Sequence, residues 1–108
     1  MGSFEEKLQI EIRNYKDGRN TNFLSYRKLN NLDIRQIFAT THEVDLKRDE
    51  SGMPIPGSGR IVTNDEKKMV FDYIMEHNYP LTRKIYNLIL QAYLSEEIEL
   101  ENKQSHKL

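Results

Sequence analysis

Residues 49–60, DESGMPIPGSGR, hold three of the five glycines and two of the three prolines of the chain. Neither residue type continues a helix or a central strand well, because proline lacks a backbone N–H and glycine loses the most backbone freedom on folding. The segment therefore interrupts regular structure near the middle of the 108 residues. It is a linker, a ligand-binding loop or the tip of a hairpin.

Two kinds of ligand-binding loop fit the segment poorly. A phosphate-binding loop has a Lys-Ser or Lys-Thr pair after its glycines, which is missing here, and prolines remove N–H donors that a phosphate needs. A calcium loop of the EF-hand type needs alternating carboxylates, which Asp45, Asp49 and Glu50 do not provide. A plain linker would leave two parts of about 50 residues, each marginal as a separate core.

The flanking residues favour a hairpin. Val44 and Leu46 alternate with polar residues before the segment, and Ile61-Val62 follow it. We therefore predict a loose β-hairpin with a long, mobile tip, in which the prolines prevent further pairing.

Helices are predicted before the hairpin. Ser3 and Glu6 form a capping box at the start of a helix over residues 3–17, and Gly18 is a suitable C-cap. A short second helix follows Asn22, and Asn30-Asn31 is a turn before a third.

The third helix, predicted over residues 32–42, decides the functional interpretation. One face is apolar and the other polar: Leu32, Ile34, Ile37, Phe38 and Thr41 lie around the first, and Arg35, Gln36 and Thr40 lie on the second. A strand remains the alternative because of the Thr-Thr pair and the β-branched residues.

Two further helices are predicted after the hairpin. Thr63 and Glu66 form a capping box, and the following inward stripe comprises Met69, Val70, Tyr73, Ile74 and His77. A break at residues 78–80 separates this helix from one over residues 81–94, which is the most apolar and extends as far as Ile98.

The length favours one domain over residues 1–108. The predicted fold is mainly α with a small β-hairpin: a winged-helix-like unit over residues 3–62, a helical pair for packing or dimerisation over residues 63–100, and a frayed tail over residues 101–108. The match to a winged helix is one of element order alone.

Composition narrows the class of protein. The chain has no cysteine, which excludes disulfides and thiolate metal sites and favours a reducing, cytoplasmic location. No apolar run approaches the roughly 20 residues that span a bilayer. The acidic N-terminal residues are unlike the basic start of a signal peptide.

No pattern of catalytic residues is present. His42, His77 and His106 have no metal-ligand spacing, and His42 and Glu43 are adjacent, so their side chains diverge on a helix. No serine stands in the context of a nucleophile. We expect a non-enzymatic protein without metal or cofactor.

Charge distribution points toward duplex DNA. Residues 13–48 carry eight Lys or Arg against four Asp or Glu, although the whole chain has a net charge of −1. Arg35 and Gln36 have side chains that read guanine and adenine edges. The remaining predicted DNA contacts, to phosphate or base edges, are Arg27, Lys28, Asn31, Thr40, Lys47, Arg48 and Arg60.

The last helix predicts an interface over residues 81–100, because apolar residues lie on more than one of its sides. Symmetric dimers would match a palindromic DNA site. The alternative is an adaptor or inhibitor that docks on a larger protein through this same helix. The predicted interface residues are Leu81, Ile85, Tyr86, Ile89, Leu90, Tyr93 and Leu94.

Overall fold

A computed structural model describes residues 3–19, 23–95 and 97–98 of the chain. The fold is mainly helical with one small antiparallel sheet, which confirms the predicted class. Along the chain the elements are α1 (Phe4–Asp17), α2 (Phe23–Tyr26), α3 (Asn31–Ala39), β1 (Glu43–Val44), β2 (Arg60–Ile61), α4 (Asn64–Glu76) and α5 (Arg83–Leu94).

The predicted helix caps are present. The Ser3 hydroxyl accepts from the Glu6 backbone N–H at 3.2 Å, and the Ser3 N–H donates to the Glu6 carboxylate at 3.1 Å. Thr63 and Glu66 repeat this arrangement at the start of α4. Gly18 ends α1 with a φ of 70°, a left-handed conformation in which glycine has no Cβ penalty.

The segment at residues 31–39 is a helix, so the strand alternative is wrong. The helix ends three residues earlier than predicted, because Thr40 is extended and its hydroxyl donates to the Gln36 carbonyl at 2.6 Å. The chain then enters β1 at Glu43.

Helix α5 is the centre of the fold, since α1, α2 and α4 all pack against it. Ile85, Tyr86, Ile89 and Leu90 on this helix are at most 2% exposed. These four side chains, which the sequence predicts at an interface between chains, are covered within the single chain by its own helices.

The ends of α5 also differ from the prediction. The helix begins after Thr82, whose hydroxyl accepts from the Ile85 N–H at 3.1 Å, and it ends at Leu94 with Ser95 as its C-cap. Ile98 lies beyond the helix and is nevertheless buried in the core. The predicted frayed tail over residues 101–108 lies outside the described residues.

The buried stripe of α4 is rotated relative to the predicted one. Val70 and Ile74 are fully buried as expected, whereas Met69 is 44% exposed and Phe71 is in the core. Phe71 stacks between two aromatic rings, with centroid distances of 5.4 Å to Phe38 and 5.0 Å to Tyr86. These stacks turn the helix toward α3 and α5 and expose Met69.

The same rotation buries a lysine. Lys67 is 2% exposed, and its ammonium donates to the carbonyls of Ile37 at 3.0 Å, Phe38 at 3.2 Å and Thr40. These carbonyls lie at the C-terminus of α3, where the helix has no internal donors left and its dipole favours a cation. Lys67 therefore fastens the end of α3 to α4.

Replacement of this lysine tests its role. We expect Lys67→Met to lower the free energy of unfolding by about 2–4 kcal/mol, because several helix-terminal carbonyls lose their donor. The neighbouring Lys68 is exposed and pairs with Asp72, four residues along, at 2.9 Å. Lys68→Met is therefore the matched control, with an expected change of at most about 0.5 kcal/mol in urea denaturation. Equal effects of the two variants would contradict the capping role.

Candidate nucleic-acid interface

Helix α3 has one exposed face and one packed face. Asn31, Arg35 and Gln36 are exposed. The prediction of Leu32 on the apolar face is wrong: it is 62% exposed, because it lies one helical turn before Arg35 and Gln36 and shares their face. The opposite face packs into the domain through Ile37. The predicted base-reading pair therefore lies at the surface, on a helix with both ends capped.

Arg27 holds the start of this helix. Its guanidinium donates twice to the Asp33 carboxylate, at 2.9 and 3.2 Å, and Asp33 also accepts from the Asn30 N–H at 3.1 Å. The Arg27 hydrogen bonds, followed by that from Asn30, lower the pKa of Asp33. The predicted phosphate contact is thus engaged in an ion pair within the chain.

Arg60 is engaged in the same manner at the hairpin base. Its guanidinium forms a two-pronged ion pair with Glu66, with one contact of 3.1 Å, and these hydrogen bonds lower the pKa of the Glu66 carboxyl. Glu66 also accepts from the Thr63 N–H at 3.0 Å. The pair joins β2 to the first turn of α4.

The other predicted contacts are exposed. Arg48 donates to the Gly52 carbonyl at 2.8 Å, inside the hairpin tip. Lys28 and Lys47 have exposed side chains and no ion pair within the described part of the chain. Thr40 is exposed but bonds back to α3.

Backbone pairing in the hairpin continues into the proline-containing segment. Strands β1 and β2 pair antiparallel, with Val44 opposite Arg60. A second bridge pairs Arg48 with Pro54 through bonds from the Asp49 N–H to the Met53 carbonyl at 3.0 Å and from the Ile55 N–H to the Lys47 carbonyl at 2.8 Å. The expectation that prolines prevent pairing is wrong here, because the bonds use the neighbours of Pro54 and not its missing N–H.

Side chains of the tip bind the backbone of the tip. One oxygen of Asp49 accepts from the Ser51 N–H at 2.9 Å and from the Met53 N–H at 3.0 Å. The hydrogen bond from Met53 is the largest cause of the lowered pKa of Asp49. A phosphate-binding loop would have to offer these backbone N–H groups to a phosphate, but here they are already bonded to the Asp49 carboxylate. The segment is therefore a hairpin tip that is hydrogen-bonded within itself.

Gly59 is required by close backbone approach. A Cβ added at this position would lie 2.2 Å from the carbonyl oxygen of Val44 on the partner strand. Real Cβ atoms do not approach a backbone atom so closely, so any larger residue must separate the strands.

We expect Gly59→Ala to lower the free energy of unfolding by about 3 kcal/mol and to speed hydrogen exchange of the Val62 amide. That amide donates to the His42 carbonyl at 2.9 Å. Gly57→Ala is the control: a φ of 81° penalises a side chain there by about 1–2 kcal/mol, but no atom lies within 4 Å of the added Cβ. A larger effect at Gly57 than at Gly59 would rule out the close approach.

One histidine lies at the edge of the core. The Nδ1 atom of His42 is buried and, like the buried hydroxyl of Tyr86, has no hydrogen-bond partner among the described residues. The two rings are 6.0 Å apart. Burial, followed by the charges of Lys67 and Arg83, lowers the pKa of His42, and burial raises the pKa of Tyr86 to about 12.

This environment predicts a pH dependence of stability. The unfolded chain protonates His42 near its ordinary pKa of 6.5, and the folded chain does so only at lower pH. The stabilisation is therefore fully present above pH 6.5 and is lost as the pH falls through the lower folded pKa. In urea denaturation at about pH 7.5 and 5.5, we expect the loss of stability between the two pH values to be smaller for His42→Gln than for the unmodified chain. An unchanged difference in His42→Gln would contradict this assignment.

Three residues of the predicted interface lie near the surface. Leu81, Tyr93 and Leu94 are partly buried and pack against the core. The Tyr93 ring meets Tyr73 edge-on at 6.1 Å. Four of the seven predicted interface residues are therefore buried and three are half-buried, and all seven contribute to the packing of this chain.

The described residues contain no group of three or more His, Cys, Asp or Glu side chains that could hold a metal ion. Within the same ranges, no helix combines the length and apolar content needed to cross a membrane. Comparison of the chain with protein-family models, curated proteins and solved structures gave no match.

Proposed function

We propose that this protein binds duplex DNA through the exposed face of α3, with the hairpin beside it in the manner of a wing. The observation that supports the proposal is the placement of Arg35 and Gln36 on the exposed face of a helix that is capped at both ends. A major groove admits a helix of this kind.

The side chains of this face match base edges. Arginine can donate two hydrogen bonds to guanine, glutamine can exchange two with adenine, and an apolar side chain can contact the thymine methyl group. Arg35, Gln36 and Leu32 would take these three roles, and Asn31 lies one residue before Leu32 on the first turn.

The phosphate contacts are fewer than the sequence pattern predicts. Arg27 and Arg60 neutralise Asp33 and Glu66, which leaves Lys28, Lys47 and Arg48 for the DNA backbone. Three phosphate contacts give weak non-specific binding that falls about fortyfold between 50 and 200 mM salt.

Fluorescence anisotropy with random duplex DNA at these two salt concentrations tests the proposal. After selection of a preferred sequence, we expect Arg35→Ala to weaken binding to it by about tenfold, as for loss of a bidentate base contact. Lys84→Ala removes one positive charge from an exposed position on α5 and is the matched control. No binding at 50 mM salt, or equal weakening by both variants, would reject the proposal.

A protein partner is the second candidate, because the hairpin exposes large apolar side chains. Met53 is 61% exposed, Ile61 51% and Ile55 39%. Exposed apolar residues with polar surroundings are typical of protein interaction sites. The docking surface would then be the hairpin and not α5.

A double variant tests this candidate. We expect the combination of Met53→Ser and Ile55→Ser to abolish capture of a protein partner and to preserve any DNA binding.

A further inference from the structure

A surface pocket of about 740 Å³ lies between the first turns of α1 and the aromatic residues around the α4–α5 connection. Its aromatic lining residues are Phe4, Tyr73 and Tyr79, and Glu5 lines the same pocket. Nothing in the proposed DNA contact uses these residues, since they lie outside α3 and the hairpin.

The tyrosine rings of the pocket are held in place by neighbouring rings. The Tyr79 ring stacks on His77 with a centroid distance of 5.3 Å and an interplanar angle of 11°. The Tyr73 ring contacts His77 at 4.2 Å and meets Tyr93 edge-on. Rings held in this manner lose little side-chain entropy when a ligand packs against them.

The aromatic residues share the pocket with the carboxylate of Glu5. Burial raises the pKa of Tyr73 to about 12 and raises that of Tyr79, and the Glu5 carboxylate adds to both shifts. The carboxylate therefore lies close enough to act on both phenols. Two cations, Lys7 and Arg13, also line the pocket, and neither contributes to the pKa shifts of the two phenols.

We propose that this pocket binds an organic ammonium group, held against the rings of Tyr73 and Tyr79 with Glu5 as its counter-charge. Aromatic faces attract ammonium groups through the ring quadrupole, and a nearby carboxylate adds a direct charge interaction. A neutral ligand would gain only contact area.

The charge of the ligand can be tested separately from its shape. Choline and 3,3-dimethylbutan-1-ol have the same outline, but only choline is charged. We expect choline to shift the amide NMR signals of the first turn of α1 and of Tyr79 and to bind about tenfold more tightly than the alcohol. N-acetyl-trimethyllysine amide, titrated in parallel, shows whether a lipid-type or a protein-type ammonium is preferred.

Variants test separately the contributions of the Tyr79 ring, the Tyr79 hydroxyl and the Glu5 carboxylate to ligand binding. Tyr79→Phe keeps the ring and should retain binding, whereas Tyr79→Leu and Glu5→Gln should weaken choline binding about fivefold or more. Glu50→Gln removes an exposed carboxylate from the hairpin and is the matched control for Glu5→Gln. Equal affinity for choline and the alcohol, loss of binding in Tyr79→Phe, or no binding of either ammonium probe at about 10 mM would overturn the proposal.

Discussion

The ammonium of Lys67 determines where the surface of α3 lies. A buried cation is costly unless its donors are matched, and here its hydrogen bonds reach three carbonyls at the end of α3. Beside it, Phe38 stacks on Phe71, so a polar and an apolar contact join the same two helices. Because β1 follows α3 within a few residues, this junction also positions the hairpin.

Elsewhere in the fold, ion pairs between side chains join elements as Lys67 joins α3 and α4 through backbone carbonyls. Arg27 with Asp33 holds the start of α3, and Arg60 with Glu66 joins the hairpin to α4. Both arginines belong to a cationic pattern that resembles a phosphate-binding surface in the sequence. In the folded chain they are matched by carboxylates, which is consistent with the net charge of −1 and leaves a small basic surface.

Features that depend on neighbours three or four residues away could be predicted from the sequence, and features that depend on tertiary packing could not. The caps at Ser3, Thr63 and Gly18 are local and were predictable. The burial of Tyr86 depends on helices that are distant in sequence. In the sequence pattern, the apolar residues around Tyr86 therefore look like a helix face without a partner in the same chain. Lys67 was missed although it shares a helical face with core residues three, four and seven positions later, because a lysine is seldom buried.

The Gly/Pro segment limits how the hairpin can take part in recognition. Its backbone donors at Ser51, Met53 and Ile55 are already bonded within the tip, so they are not available to a phosphate or to an added strand. Any contact must use side chains, and those exposed near the tip are apolar at Met53 and Ile55. A DNA-binding form of this protein would therefore obtain its sequence preference from α3 and only positioning from the hairpin. A protein-binding form would reverse these roles, because the apolar tip would supply the contact area.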